Sequence, residues 1–189
     1  MTQKDKERMR GKEIALIPQS VNYLDPLMRV GHQILVPQKA DGGKKARWKK
    51  TRKILERYHL EHEVLKYFPF QLSGGMSRRV LVSTSAASKA KLIIADEPTP
   101  GMDQMSIDET IRLFRELADQ GAGIILITHD IEMALKTANR VAVFLDGTVA
   151  ETAPVEAFCD QGEALNHAFS RALYLAFPQN GFFKTLTFL

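Results

Sequence analysis

With a single cysteine, Cys159, in 189 residues, an internal disulfide framework and a multi-cysteine metal site are both excluded. That usage fits a reducing cytoplasm. No apolar stretch approaches the roughly 18 residues that mark a spanning helix, and no charged-then-apolar signal pattern opens the chain. Any membrane association is therefore expected to run through a partner. Internal repeats and low-complexity tracts are also missing. What is present is ordinary globular material: hydrophobic residues make up 44% and charged residues 25%, which argues against wholesale disorder.

The formal charge of +4 is unevenly placed. Lys39 to Lys53 holds eight basic residues against one acid, Asp41, a local +7 that leaves −3 for the remainder. Aromatic interleaving is limited to Trp48, which weakens a nucleic-acid reading. A helix face lying near anionic headgroups is a second possibility. The reading preferred on sequence is an ordinary exposed helix in a surface insertion.

Ile14–Ile17 reads as a short buried strand, with Gln19 close behind it. From about Val30 to Ala90 the signals are helical, broken at Gly42-Gly43, with a basic amphipathic segment over Lys44–Tyr58. After Leu92 the pattern changes. A strand at Leu92–Ala95 precedes a helix near Gln104–Gln120, whose Ile107, Ile111, Phe114 and Ala118 share one face. A strand at Gly123–Ile127, a helix near Ile131–Thr137 and a strand at Val141–Leu145 complete a βαβαβ alternation, the signature of a parallel sheet with helical crossovers. Asp146-Gly147 predicts a tight hairpin into Thr148–Glu151. Helices are expected near Pro154–Cys159 and Glu163–Ala176. No flexible linker appears, so one domain with two lobes is expected: an α/β core (13–29 and 91–160), a helical insertion (30–90) and a helical tail (161–189).

Four strings carry chemistry. Ser73-Gly74-Gly75 precedes a helix beginning near Met76; a hydroxyl and two glycines at a helix start expose backbone N–H groups, where the dipole favours an anion. Alone, such a string is a common helix cap. Twenty residues after Met76, Leu92-Ile93-Ile94-Ala95 ends in Asp96-Glu97-Pro98. Acids there reach the crevice outside the carboxyl ends of a parallel sheet. Phosphoryl transfer needs one carboxylate to help hold Mg²⁺ and one group to position water; the plainer reading is an acid pair capping a loop. Asp103 is placed to cap the following helix. His129 ends the next strand, 32 residues after Glu97.

This order and spacing resemble the ATP-binding subunits of ABC transporters. The resemblance implies an α/β fold: a partial P-loop NTPase core with a parallel sheet and a helical signature subdomain. It casts Ser73, Gly74 and Gly75 as the signature that grips the γ-phosphate of ATP held by the opposite subunit. Asp96 becomes the Mg²⁺-side residue and Glu97 the residue that polarises water. His129 becomes the switch that contacts the γ-phosphate. Asp103 falls in the D-loop, where Pro100 and Gly101 depart from the usual Ser-Ala-Leu-Asp. Gln19 resembles the glutamine that touches Mg²⁺ or water and links core to helical lobe, with Pro18 replacing an aromatic residue. Met76 followed by Arg78-Arg79-Val80, together with Asn166-His167-Ala168-Phe169-Ser170-Arg171-Ala172-Leu173, resembles the branch that imports oligopeptides, dipeptides and nickel. The implied partners are a second ABC ATP-binding subunit, homo- or heterodimeric, and transmembrane permease subunits, with ATP and Mg²⁺ as cofactors. The implied location is peripheral, at the cytoplasmic face of the cell membrane. No nucleic acid is expected.

The same resemblance calls for a phosphate-binding Gly-x-x-x-x-Gly-Lys-Ser/Thr string ahead of Gln19, and the sequence holds none. Gly11-Lys12 and Gly42-Gly43-Lys44 are the only Gly-Lys pairs, and neither is followed by Ser or Thr. The expectation is an N-terminally incomplete subunit whose phosphate loop is encoded upstream, inactive alone and weak for MgATP. Missing upstream elements would also strip apolar cover from Leu92–Ala95. The alternatives are a non-catalytic remnant or half-subunit offering the signature in trans, and a soluble ABC ATPase.

Overall fold

In the computed structural model, which describes residues 9, 13–35, 43–88 and 90–177, the chain divides into one unit ending at His129 and a second beginning at Asp130.

Three parallel strands organise the first unit: β1 (Ile14–Ile17), β2 (Leu92–Asp96) and β3 (Gly123–Ile127), in that spatial order. The register sets Leu16 beside Ile94, Ile94 beside Ile125, and Asp96 beside Ile127. Because side chains alternate across a sheet, the two faces separate cleanly. Ala15, Ile17, Ile93 and Ala95 are buried on one, while Leu16, Ile125 and Ile127 are 45%, 49% and 51% exposed on the other. One expectation is thereby corrected: β1 is a half-buried strand, not a buried one. β2 is covered on its Ile93/Ala95 face, while Leu92 and Ile94 on the other face are only half-buried between exposed apolar neighbours.

Between β1 and β2 the chain builds the expected helical insertion: α1 (Val30–Leu35), α2 (Gly43–Arg57) and α3 (Gly74–Ala87). These helices pack through Val30, Ile34, Ile54, Leu55, Val80, Leu81 and Val82, all buried. Gly31 is fixed by space: a Cβ there would meet the Trp48 ring at 2.8 Å and the Leu65 carbonyl at 3.0 Å. Tyr58, fully buried, closes α2, and its phenol is pushed well above the ordinary value by that burial.

The crossover from β2 to β3 is α4 (Gln104–Asp119), whose buried residues are Ser106, Thr110, Ile111, Leu113 and Phe114. Ala118, expected on that face, is exposed. The buried stripe tilts toward Leu113, and Thr110 is tolerated inside because its hydroxyl donates to the Ser106 carbonyl at 2.8 Å. Arg57 at the end of α2 binds Glu116 on α4 through two guanidinium hydrogen bonds of 2.8 and 3.0 Å and pairs with Glu109 as well. This fork ties the insertion to the core layer.

The second unit contains α5 (Ile131–Thr137), β4 (Arg140–Leu145), β5 (Thr148–Pro154) and α6 (Ala168–Leu175). β4 and β5 form the expected antiparallel hairpin, and they do so as a two-stranded sheet of their own, so the third strand of the βαβαβ alternation does not join the parallel sheet. Asp146 and Gly147 supply the turn with φ of 49° and 77°, the double positive φ of a type I′ hairpin. Val143, Ala153, Ala157, Phe158, Leu165 and Tyr174 form its core. The helix expected over Pro154–Cys159 is only a 3₁₀ turn, Val155–Ala157. The one expected from Glu163 starts at Ala168, because Glu151 accepts the backbone N–H groups of Asn166 (2.7 Å) and His167 (3.1 Å), holding that stretch extended. The tail expected beyond residue 177 lies outside the described residues.

Candidate functional site

The centre of the site is one carboxylate at the end of β2. Asp96 closes the strand, half-buried. Glu97 then turns into the left-handed region with φ of 45°, a conformation uncommon for a residue bearing a Cβ. Its N–H still reaches the Ile127 carbonyl at 2.9 Å, so the residue stays tethered to β3 while its side chain swings across. There Glu97 Oε1 accepts the His129 backbone N–H at 2.9 Å and lies 2.7 Å from His129 Nδ1. Thr128 Oγ1 donates to Oε2 at 3.3 Å. The Glu97 side chain is 13% exposed and the His129 ring 84% exposed, so a shielded carboxylate is joined to an imidazole open to solvent. The sequence placed Glu97 and His129 in one site; Thr128, beside them, was legible only as a hydroxyl next to the histidine.

Ser73 caps α3 by accepting the Met76 N–H at 3.2 Å. Gly74 and Gly75, in the first turn, present amides that have no intrahelical acceptor. Gly75 is also fitted to its neighbour, since a Cβ would stand 2.9 Å from the Gly101 carbonyl, whereas a Cβ at Gly74 meets nothing within 4 Å. The departures at Pro100 and Gly101 acquire a physical reason here. Met102 N–H donates to the Thr99 carbonyl at 3.0 Å and Gly101 has φ of 77°, the pattern of a type II turn with proline first and glycine second. Asp103 then caps α4, accepting from Ser106 N (2.9 Å) and Ser106 Oγ (3.1 Å), and the Ser106 N–H lowers its carboxyl pKa. It also stands 3.9 Å from Arg79 of α3.

Two arginines that sequence reading passed over as branch markers connect these parts. Arg78, 7% exposed, donates from Nη1 to the Pro18 carbonyl at 3.0 Å, immediately before Gln19. Burial lowers its pKa, opposed by the Glu97 carboxylate. Arg79 donates to the Tyr58 carbonyl at 3.2 Å. The available signal was a pair of charges in an otherwise uncharged helix. Gln19 itself is exposed, and no hydrogen bond joins it to Asp96 among the described residues. The described residues hold no cluster of three His, Cys, Asp or Glu arranged for a metal ion. Gln19 and Asp96 fit Mg²⁺ only as oxygen donors of a site completed by other ligands, in the manner of Mg²⁺ held by a carboxylate, water and phosphates.

A three-stranded parallel sheet flanked by helices, with an acidic strand end and a capped glycine pair on a helical insertion, is the architecture of an ATP-binding cassette. The structure superposes on the dimeric post-hydrolysis ATP-binding cassette MJ0796 bound to ADP and Pi with a TM-score of 0.73 at 24% identity, covering 82% of this chain and 68% of that one. The sequence profile described as ABC transporter matches residues 1–100, and the chain belongs to that family. It is 32% identical over 185 residues to the dipeptide transport ATP-binding protein DppD of Escherichia coli (strain K12), covering 95% of this chain and 56% of that protein. It is 31% identical over 186 residues to the glutathione import ATP-binding protein GsiA of the same strain, covering 95% of this chain and 29% of that protein. The chain thus spans little more than half the length of the dipeptide relative. No helix among the described residues is long and apolar enough to cross a membrane.

Proposed function

We propose that this chain acts as part of the ATP-hydrolysing subunit of an import system for small peptides, peripheral to the cytoplasmic face of the membrane. The observation that carries this reading is the Glu97 carboxylate, shielded and bonded to both the backbone and the ring of His129 at the end of β2. Such a carboxylate is placed to orient a water molecule against a phosphoryl group, with His129 facing solvent beside it. Asp96 and Gln19 supply oxygen ligands to Mg²⁺. Ser73, Gly74 and Gly75 offer first-turn amides to the nucleotide of a second ABC subunit, and Asp103 with its turn braces that surface from below. ATP, when bound, supplies the phosphoryl group and the driving force.

The relatives named for dipeptide and glutathione transport favour peptides over nickel as the solute class. Transmembrane permease subunits are the proposed partners, and choice of solute rests with them. The 189 residues contain no phosphate-cradling string, so the polypeptide on its own is expected to bind MgATP weakly. Without such a cradle, the carboxylates of Asp96 and Glu97 repel a triphosphate. The test is recovery of the protein from membranes together with permease subunits, followed by measurement of MgATP hydrolysis in that assembly. Glu97→Gln should lower turnover by about 10²–10⁴ while sparing ATP-dependent association of subunits. A protein recovered free of any permease, or a Glu97→Gln assembly hydrolysing at the full rate, would refute the reading.

A further inference from the structure

An open groove of about 1310 Å³ runs between the outer face of α2 and the wall formed by Arg29 and residues 62–66, away from the carboxylate site. Its α2 side is a row of cations. Lys45, Lys49 and Lys53 recur at i,i+4 spacing with Arg52 among them, and all four are exposed. Among the described residues none of these four has a carboxylate partner. The acids of the groove are already engaged, Glu56 with His62 at 2.8 Å and Glu63 with Lys66 at 3.0 Å.

The cations of α2 sort by role. Arg47 turns inward and donates to the Leu35 carbonyl at 2.6 Å, and Lys50 reaches the Ala87 carbonyl at 3.4 Å. Thr51, Ile54 and Leu55 bury the apolar face. The outward row therefore has no task within the fold. A merely solvated helix mixes signs for solubility, yet Lys44 to Leu55 contains no acid. Trp48, the only tryptophan of the chain, lines the groove edge-on to His32 with ring centroids 5.6 Å apart.

We propose that this face of α2 docks on an anionic lipid surface, its lysines lying among headgroup phosphates and Trp48 at the level of the headgroups. Three of the four outward cations are lysines, compact charges that answer a field of phosphates rather than a single forked partner. The apolar face of α2 is spent in the core, so the contact is adhesion without insertion. This extends the membrane placement proposed above but does not depend on the nucleotide site, and it is tested without nucleotide.

Each Lys or Arg near an anionic membrane strengthens partitioning by about fivefold. The test is sedimentation of the 189-residue protein with vesicles of phosphatidylcholine plus phosphatidylglycerol, against phosphatidylcholine alone, while Trp48 fluorescence is recorded. The expected result is salt-sensitive binding to the anionic vesicles only, with a shifted Trp48 spectrum. Lys45→Gln/Lys49→Gln/Lys53→Gln should weaken partitioning by about 100-fold on the same per-charge figure. The charge-keeping Lys45→Arg/Lys49→Arg/Lys53→Arg should retain binding. Lys91→Gln/Arg140→Gln/Arg171→Gln, which removes equal charge from exposed positions elsewhere, should also retain it. Equal binding to neutral vesicles, equal loss in the control triple, or sedimentation with an unchanged Trp48 spectrum would overturn the proposal. So would a Trp48 response to a polyglutamate peptide or inorganic phosphate that anionic vesicles fail to elicit; the polyglutamate result would assign the groove to an acidic polypeptide.

Discussion

Gly74 and Gly75 stand side by side in the first turn of α3, yet an added methyl group should act on them with opposite sign. Replacing glycine by alanine in a helix gains roughly 0.5–1 kcal/mol, because alanine loses less backbone freedom on folding. At Gly74 nothing lies within 4 Å of the new Cβ. Gly74→Ala should therefore be neutral or stabilising within that range. At Gly75 the methyl would stand 2.9 Å from the Gly101 carbonyl oxygen, closer than real contacts allow. That oxygen cannot yield easily. Pro100 locks the φ before it, Gly101 sits at φ of 77°, and the Met102-to-Thr99 hydrogen bond closes the turn. Overpacking of this kind costs about 1–3 kcal/mol, which outweighs the helical gain. Urea denaturation followed by circular dichroism should place Gly75→Ala clearly below wild type and Gly74→Ala at or above it. Amide resonances of Gly101 and Met102 should move in Gly75→Ala alone. Equal stability of the two variants would refute the reasoning, since it would mean that the turn and α3 do not press on each other.

Arg57→Ala should destabilise the first unit by roughly 1–2 kcal/mol, discounted from a fully buried pair because Arg57 and Glu116 are partly exposed. In double-mutant cycles the coupling of Arg57 to Glu109, 12% exposed, should exceed its coupling to Glu116, 53% exposed; the reverse order would sink the idea of a shielded clamp. Glu151 has its carboxyl pulled down from 4.5 to about 2, first by the Asn166 N–H. Because the folded value is depressed, its stabilisation is complete above pH 4.5 and is lost as pH falls toward 2. An acid titration should therefore release the N-terminus of α6 in that window, seen as loss of amide protection at Asn166 and His167, and Glu151→Gln should remove this step.

Much of the site was legible because its parts are local. Asp96 and Glu97 end an apolar run, Ser73 precedes two glycines, and Asp103 precedes an amphipathic stretch; each depends on residues within one turn or one strand. Periodicity alone also yielded β2, α4 and β3 close to their observed bounds. Pairing was harder. Asp146-Gly147 announces the hairpin of Val141–Leu145 with the strand after it, but the alternation also reads Val141–Leu145 as a member of the parallel sheet, and only the hydrogen bonding shows that it pairs with Thr148–Pro154 in a two-stranded sheet of its own. The start of α6 was misread because the group that delays it, Glu151, lies 15 residues from Asn166 in sequence.

What the sequence by itself determined is the family, the order of the functional strings and the caps at Ser73 and Asp103, since these rest on residue types at short range. Tertiary structure alone decided which partners meet. It brought Glu97 onto His129 across 32 residues by parallel pairing of β2 with β3. It set Arg78 against the loop of Gln19 across 60 residues. It also divided the cations of α2 into those that brace the fold and those that face outward. A charge pattern gives only the total; the direction of each side chain follows from which face of the helix the core claims.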